Sequence, residues 1–280
     1  MRLTAFKGVS PLLEGVFCVH KKMRCIVLLH RFSRTELIIG KSGLERLAHA
    51  QVAVFGIGGV GGTAAEALAR SGVGRLVLID YDDVCLTNIN RQVIALQSTV
   101  GQAKVDVMQE RIKAINPKCE VIVYKEFYKP ERAHYLLQPD YSYVLDAIDT
   151  VSAKLDLLER CYRQGIPVIS AMGAGNKLDP TKLEVVDISK THTCPLAKVV
   201  RKELRKRWIS KGIQTVFSTE LPLPIQPDAT NCKESCICPN KDQLEFVCTK
   251  RRSIPGSSAV VPPVAGYLMA SVVIRDILGM

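Results

Sequence analysis

The sequence predicts an α/β protein built on a doubly wound, mostly parallel sheet. Three observations predict it. Short apolar runs alternate with helix-patterned segments, a glycine-rich turn follows the first run, and carboxylates close the runs. Residues 40–50 read as a short leading helix. Residues 52–55 are β-branched or apolar throughout, as a strand covered on both faces requires. The strand breaks into Gly56-Ile57-Gly58-Gly59-Val60-Gly61-Gly62, and an alanine-rich helix occupies residues 64–70. Residues 76–79 form the second strand, closed by Asp80. Lys104–Ile115 carries helical spacing and stops at Asn116-Pro117. Strands follow at 121–124, at 143–145 with Asp146 and Asp149 behind it, and at 167–170; Val151–Gln164 is the helix between the last two.

The pattern changes after Gly175. Residues 183–188 suggest a strand of different orientation, and 195–208 a strongly basic helix. Residues 221–258 are rich in Pro, Cys and Ser and read as a long crossing loop, before an apolar helix at 264–278. Three parts result: an N-terminal extension (1–30), a nucleotide-binding core (31–175) and a C-terminal substrate-binding part (176–280).

Gly56, Gly58 and Gly61 fit G-x-G-x-x-G between strand and helix, with Gly59 inside the turn. Such a turn lets backbone N–H groups approach a phosphate at the helix N-terminus. Asp80 stands where a ribose-binding acid is expected, about 20 residues on. This is a Rossmann-like signature, and its default ligand is NAD. The next segment favours a triphosphate. Asp82, Asn88, Arg91 and Gln92 gather past the second strand, and Lys104 opens the next helix. Arg grips phosphate oxygens in pairs, and Lys supplies a mobile charge. Asp149 follows a parallel strand, where a carboxylate can hold a magnesium ion bridging phosphates. Singly, each cation reads as a solvated surface residue; the clustering carries the inference.

The chain has 280 residues and a formal net charge of +11, a balance that suits polyanionic partners. Lys198, Arg201, Lys202, Arg205 and Lys206 crowd the basic helix, while Leu196, Val199, Val200 and Leu204 give it an apolar stripe. It can dock by the stripe and face nucleic acid with the cations, or be a solvated charged face. Trp208 reads as a core anchor ahead of a base-stacking ring. Apolar runs fall short of the roughly 18–20 residues that span a bilayer, so no membrane partner is expected. The expected compartment is the reducing cytoplasm, so the ten cysteines read as free thiols or metal ligands. Cys232, Cys236, Cys238 and Cys248 are candidate zinc ligands at a spacing unlike paired C-x-x-C knuckles. Cys194 is either a low-pKa thiol at a helix start or an ordinary small residue there. Cys18, Cys25, Cys85, Cys119 and Cys161 look like filler or core positions.

Taken together, Gly56 to Gly61, Asp80-x-Asp82, Asn88-x-x-Arg91-Gln92, Lys104 and Ala147-Ile148-Asp149 resemble the ThiF/MoeB/HesA family of adenylating enzymes, relatives of the ubiquitin-activating enzymes. Arg31-Phe32-Ser33-Arg34 is similar to the family's arginine pair ahead of the first strand. The resemblance implies that Asp80 binds ribose and that Asn88, Arg91 and Lys104 hold the phosphates of ATP. It further implies that Asp149 orients magnesium, and that Arg34 reaches the partner's nucleotide in a homodimer.

Segments such as Gly173-Ala174-Gly175-Asn176-Lys177-Leu178-Asp179-Pro180-Thr181 and Val216-Phe217-Ser218-Thr219-Glu220 resemble the branch that dehydrates threonylcarbamoyladenosine in tRNA. That resemblance implies a tRNA partner and carboxylate adenylation. The competing readings are activation of a ubiquitin-like sulfur carrier, a tRNA-binding module with a spent nucleotide site, and an NAD dehydrogenase; a sulfur-transfer or cysteine desulfurase-type protein is a further candidate partner.

Overall fold

The computed structural model describes residues 29–226 and 255–280. Among the described residues, seven strands form one sheet: β1 (Gln51–Phe55), β2 (Arg75–Ile79), β3 (Glu120–Tyr124), β4 (Tyr143–Asp146), β5 (Val168–Ala171), β6 (Leu183–Asp187) and β7 (Gln214–Ser218). Their order is β3-β2-β1-β4-β5-β7-β6, parallel except for β6 against β7. The helices are α1 (Ser33–His49), α2 (Gly61–Ser71), α3 (Lys104–Ile115), α4 (Ala133–Leu136), α5 (Val151–Gln164), α6 (Pro195–Lys206) and α7 (Val261–Leu278).

Strand alternation sends successive side chains to opposite faces, and helices cover both. Val52, Val54, Leu76 and Leu78 share one core with Ala64 and Leu68 of α2, Met108 of α3 and Met269 of α7. Ala53, Phe55, Val77 and Ile79 share the other with Leu157 and Leu158 of α5 and Val200 and Leu204 of α6. Burial on both faces explains why these strands are continuously apolar.

Several expectations need correction. The leading helix begins at Ser33 and kinks at Gly40, where φ is 69°. Strand β7 is additional to the expected strands, and four of its five residues are buried. It pairs with β5, so the sheet continues past residue 175 and the C-terminal part shares the core. Helix α7 starts three residues early, and its 18 residues reach the length and apolarity that can cross a bilayer. Half of it is buried against the protein, as in a core helix of a globular protein. Cys85, Cys119 and Cys161 are buried, as expected of core positions. Cys232, Cys236, Cys238 and Cys248 lie outside the described residues, as do Cys18 and Cys25.

Candidate nucleotide site

The chain winds outward from β1 through β2 to β3, then returns to β4 on the other side of β1. Such a reversal opens a crevice beyond the carboxyl ends of β1 and β4, where ligands gather in open α/β sheets. The glycine turn enters that crevice. Gly56 has φ of 92°, and a Cβ there would lie 2.7 Å from the Ala147 carbonyl oxygen. A Cβ on Gly61 would lie 1.9 Å from the Gly56 carbonyl oxygen. Only glycine permits this turn to fold so tightly against the residues that follow β4.

Asp80 fastens the turn. Its Oδ2 accepts the Ile57 N–H at 2.6 Å and its Oδ1 the Asp82 N–H at 2.8 Å. Burial pushes the Asp80 carboxyl above the usual carboxylate range, against the pull of Lys104 and both N–H donors. The backbone N–H of Lys104 donates to the Asp82 carbonyl at 3.1 Å, and its Nζ lies 2.7 Å from Asp82 Oδ2. Burial alone would lower the Lys104 pKa. The facing carboxylates of Asp80 and Asp82 outweigh it and hold the ammonium well above the ordinary lysine range. Lys104 is therefore a buried, permanently charged cation beside the turn.

The segment from Cys85 to Gln92 forms the opposite wall. Asn88 Oδ1 accepts the Cys85 N–H at 3.1 Å, and the Asn88 carbonyl accepts the N–H groups of Arg91 and Gln92. Asn88 thus shapes the wall with its carbonyl ends. Arg91 lies against the turn: a Cβ on Gly59 would meet the Arg91 carbonyl oxygen at 3.2 Å. Its guanidinium reaches the Thr87 carbonyl at 3.0 Å and Asn90 Oδ1 at 2.7 Å. The sequence places Gln92 in this cluster without assigning it a contact. Its side chain is buried beside Gly58, and its Oε1 has no hydrogen-bond partner among the described residues. An acceptor left so against a phosphate-type turn fits a ligand that donates to it.

Asp149 stands exposed between β4 and α5. The turn that carries it abuts Gly56 and is held by the Ile148 N–H, which donates to Asp146 Oδ1 at 3.1 Å. Gly56, Gly58, Gly59, Gly61, Asp80, Asp82, Asn88, Arg91, Lys104 and Asp149 thus frame one crevice. Arg34 does not join them. Phe32 packs near Gly72 at the far end of α2, about 16 Å of helix from the turn.

The basic helix starts by the carboxyl end of β5, where a Cβ on Gly173 would lie 3.3 Å from Cys194 Sγ. Lys198, Lys202, Arg205 and Lys206 are exposed. Arg201 is half-buried and donates to the Thr191 carbonyl at 2.6 Å and to the Thr191 hydroxyl, so it braces the loop ahead of α6. Lys206 is paired with Glu203 at 2.7 Å. Trp208 is no core anchor: its relative exposure is 91%. The chain turns back into the core one residue later, at buried Ile209. Cys194 is buried at the start of α6.

This fold and this crevice define a nucleotide-binding α/β protein. The chain belongs to the ThiF family, whose model matches residues 32–280. It is 52% identical over 251 residues to the tRNA threonylcarbamoyladenosine dehydratase of Bacillus subtilis (strain 168), covering 90% of this chain and 96% of that one. The Escherichia coli tRNA N6-threonylcarbamoyladenosine dehydratase, solved in complex with AMP, superposes with a TM-score of 0.77 at 38% identity. The match covers 89% of this chain and 94% of that one. The same enzyme in complex with ATP gives a TM-score of 0.75 at the same identity and coverage.

Proposed function

We propose that this protein uses ATP to dehydrate threonylcarbamoyladenosine in tRNA, closing a ring on the modified base by way of a carboxylate adenylate. The observation that carries the reading is the joint between turn and cation: Asp80 pins the glycine turn at Ile57, and Asp82, next to it, anchors buried Lys104. A phosphate-binding turn and a fixed positive charge thereby face one crevice. Likeness over nine-tenths of the chain to a dehydratase, and to a structure solved with ATP, supports the same ligand and substrate.

A carboxylate is a poor electrophile because its leaving group would be oxide. Attack of a threonyl carboxylate oxygen on the α-phosphate of ATP releases pyrophosphate and makes AMP the leaving group. A nitrogen of the same substituent then attacks the acyl carbon and gives up its proton, and AMP departs with the oxygen. No enzyme nucleophile is needed. The protein's work is to bind charge and fix geometry.

The backbone at Gly56, Gly58, Gly59 and Gly61 cradles phosphate. Arg91 and Lys104 neutralise the triphosphate, and Asn88 keeps their wall in shape. Asp80 spends one lone pair of each oxygen on a backbone N–H, leaving others for ribose hydroxyls. Asp149 is the carboxylate that would hold magnesium, which supplies Lewis-acid charge at the phosphates.

Arg34 lies too far from its own crevice, so it serves a partner's nucleotide in a homodimer. Residues 31–175 hold nucleotide, and 176–280 present tRNA to it, with Lys198, Lys202 and Arg205 as the phosphate-facing cations. The ring closure itself moves no sulfur; a sulfur-transfer or cysteine desulfurase-type protein is a further candidate partner, and co-purification tests it. A cytoplasmic location follows from the tRNA substrate. Metal analysis of the purified protein tests Cys232, Cys236, Cys238 and Cys248 as zinc ligands.

The test of the main reading is mass spectrometry of nucleosides from modified tRNA incubated with the protein and ATP. Loss of one water from the modified adenosine is the expected result. An unaltered nucleoside in the presence of ATP and magnesium removes the reading.

A further inference from the structure

Helix α6 ends in a cap that ordinarily requires glycine. The Ile209 N–H donates to the Leu204 carbonyl at 3.0 Å, and the Trp208 N–H to the Arg205 carbonyl at 3.0 Å. That pair of bonds is a Schellman cap, whose penultimate residue takes the left-handed conformation. Here that residue is Trp208, at φ of 63°. Left-handed backbone strains any residue with a Cβ, and a bulky one most. The cap folds Ile209 back onto Leu204 in the core and throws the indole into solvent. A large apolar ring is thus held outward at a cost to the fold.

Its surroundings are basic. Arg163, Arg205, Lys206 and Lys211 are exposed around it. The acids of this end, Glu159 and Glu203, are already engaged by Arg163, Lys206 and Arg207. Arg205 and Lys211 make no salt bridge among the described residues. Lys198, Lys202 and Arg205 succeed one another at four- and three-residue steps, so they line one face of α6. That face runs about 18 Å from the crevice end of the helix to Trp208.

We propose that Trp208 is a stacking platform for an unpaired base of the tRNA, at the far end of a phosphate track formed by Lys198, Lys202 and Arg205. The proposal rests on tRNA being the substrate. Aromatic rings beside cations are how proteins grip single-stranded RNA: the ring takes the base face and the cations take the backbone. An anionic membrane would also attract cations and a tryptophan. A membrane-surface helix turns its apolar face outward, whereas Ala197, Val200 and Leu204 of α6 face the core.

Trp208 is the only tryptophan in the chain, so intrinsic emission reports on it alone. The experiment titrates the full-length protein with unfractionated tRNA at fixed salt, reading emission, and measures Kd by filter binding. Saturation with tRNA is expected to quench the emission. Trp208→Gly suits the left-handed backbone and is expected to keep or raise Tm while weakening tRNA binding roughly tenfold. Trp208→Phe is expected to retain most of the affinity. Binding with unchanged emission and an unchanged Kd for Trp208→Gly overturns the platform and leaves the tRNA reading standing. A Tm that falls with the affinity assigns the ring a structural role and also overturns it. Emission that responds to phosphatidylserine vesicles and not to tRNA overturns it in favour of a lipid surface. Absence of tRNA binding by the unaltered protein overturns platform and substrate together.

Discussion

The ammonium of Lys154 lies 2.6 Å from Asp146 Oδ2, and neither side chain is exposed. Lys154 also donates to Ser170 Oγ at 3.1 Å and to the Ala171 carbonyl at 3.0 Å, and Ser170 donates to the same Asp146 oxygen at 2.6 Å. The other Asp146 oxygen takes the Ile148 N–H. One buried pair thus ties the ends of β4 and β5 to α5 and holds the turn carrying Asp149. Removing one partner strands a charge in the core, which typically costs about 3–5 kcal/mol. Urea unfolding of Lys154→Met should show a loss of about that size. The double variant Lys154→Met/Asp146→Asn should recover part of it, because no buried charge is left unpaired. A double variant no more stable than the single one contradicts this account.

Asp149 is exposed at the mouth of the crevice, so its removal should leave the fold intact. Asp149→Ala is expected to shift stability by no more than about 0.5 kcal/mol. Turnover should fall at least about 100-fold, the usual scale for losing an electrostatic group aimed at developing charge. Affinity for tRNA should be unchanged. Single-turnover assays beside filter binding check both halves, and unimpaired turnover removes the magnesium role.

The crevice was legible because its chemistry is written in short-range spacing. A glycine turn after a strand, an acid closing the next strand and a lysine opening a helix each announce themselves locally. Lys154 did not. It sits inside a helix with ordinary periodicity, and only the packing of α5 against β4 and β5 brings it to Asp146 and Ser170. Strand β7 escaped because Gln214–Ser218 carries Gln, Thr and Ser among its apolar residues. Trp208 departs from expectation for a related reason: tryptophan usually anchors a core, and the cap that ejects it depends on bonds to Leu204 and Arg205. Arg201 counts in the sequence as one more cation of the basic helix, and only the fold brings it to the Thr191 carbonyl.

Lys202 and Arg205 are two of the three α6 cations best placed to meet phosphate, beside Lys198, since Lys206 is shared with Glu203 and Arg201 with Thr191. Changing both to Ala should weaken tRNA binding and flatten its dependence on salt. Each phosphate-neutralising cation removed lowers the slope of log K against log salt by roughly 0.7–0.9. The double variant should therefore bind with a slope shallower by about 1.5. Binding measured across a salt series decides it: an unchanged slope with unchanged affinity leaves α6 a solvated face.

Glu66 of α2 lies between Arg70, at 2.7 Å, and Arg111 of α3, at 2.6 Å. Burial alone would raise its carboxyl; the two guanidinium groups outweigh burial and hold it below its ordinary value of 4.5. A carboxyl depressed in the folded state contributes its stability above that ordinary value. The contribution is lost as pH falls through the lower, folded pKa. Glu66→Gln should therefore cost about 1 kcal/mol at pH 7, since both arginines are partly exposed. The Tm gap between Glu66→Gln and the unaltered protein should close as pH drops below 4.5. A gap that persists undiminished in acid would mean that the Glu66 charge is not what joins α2 to α3.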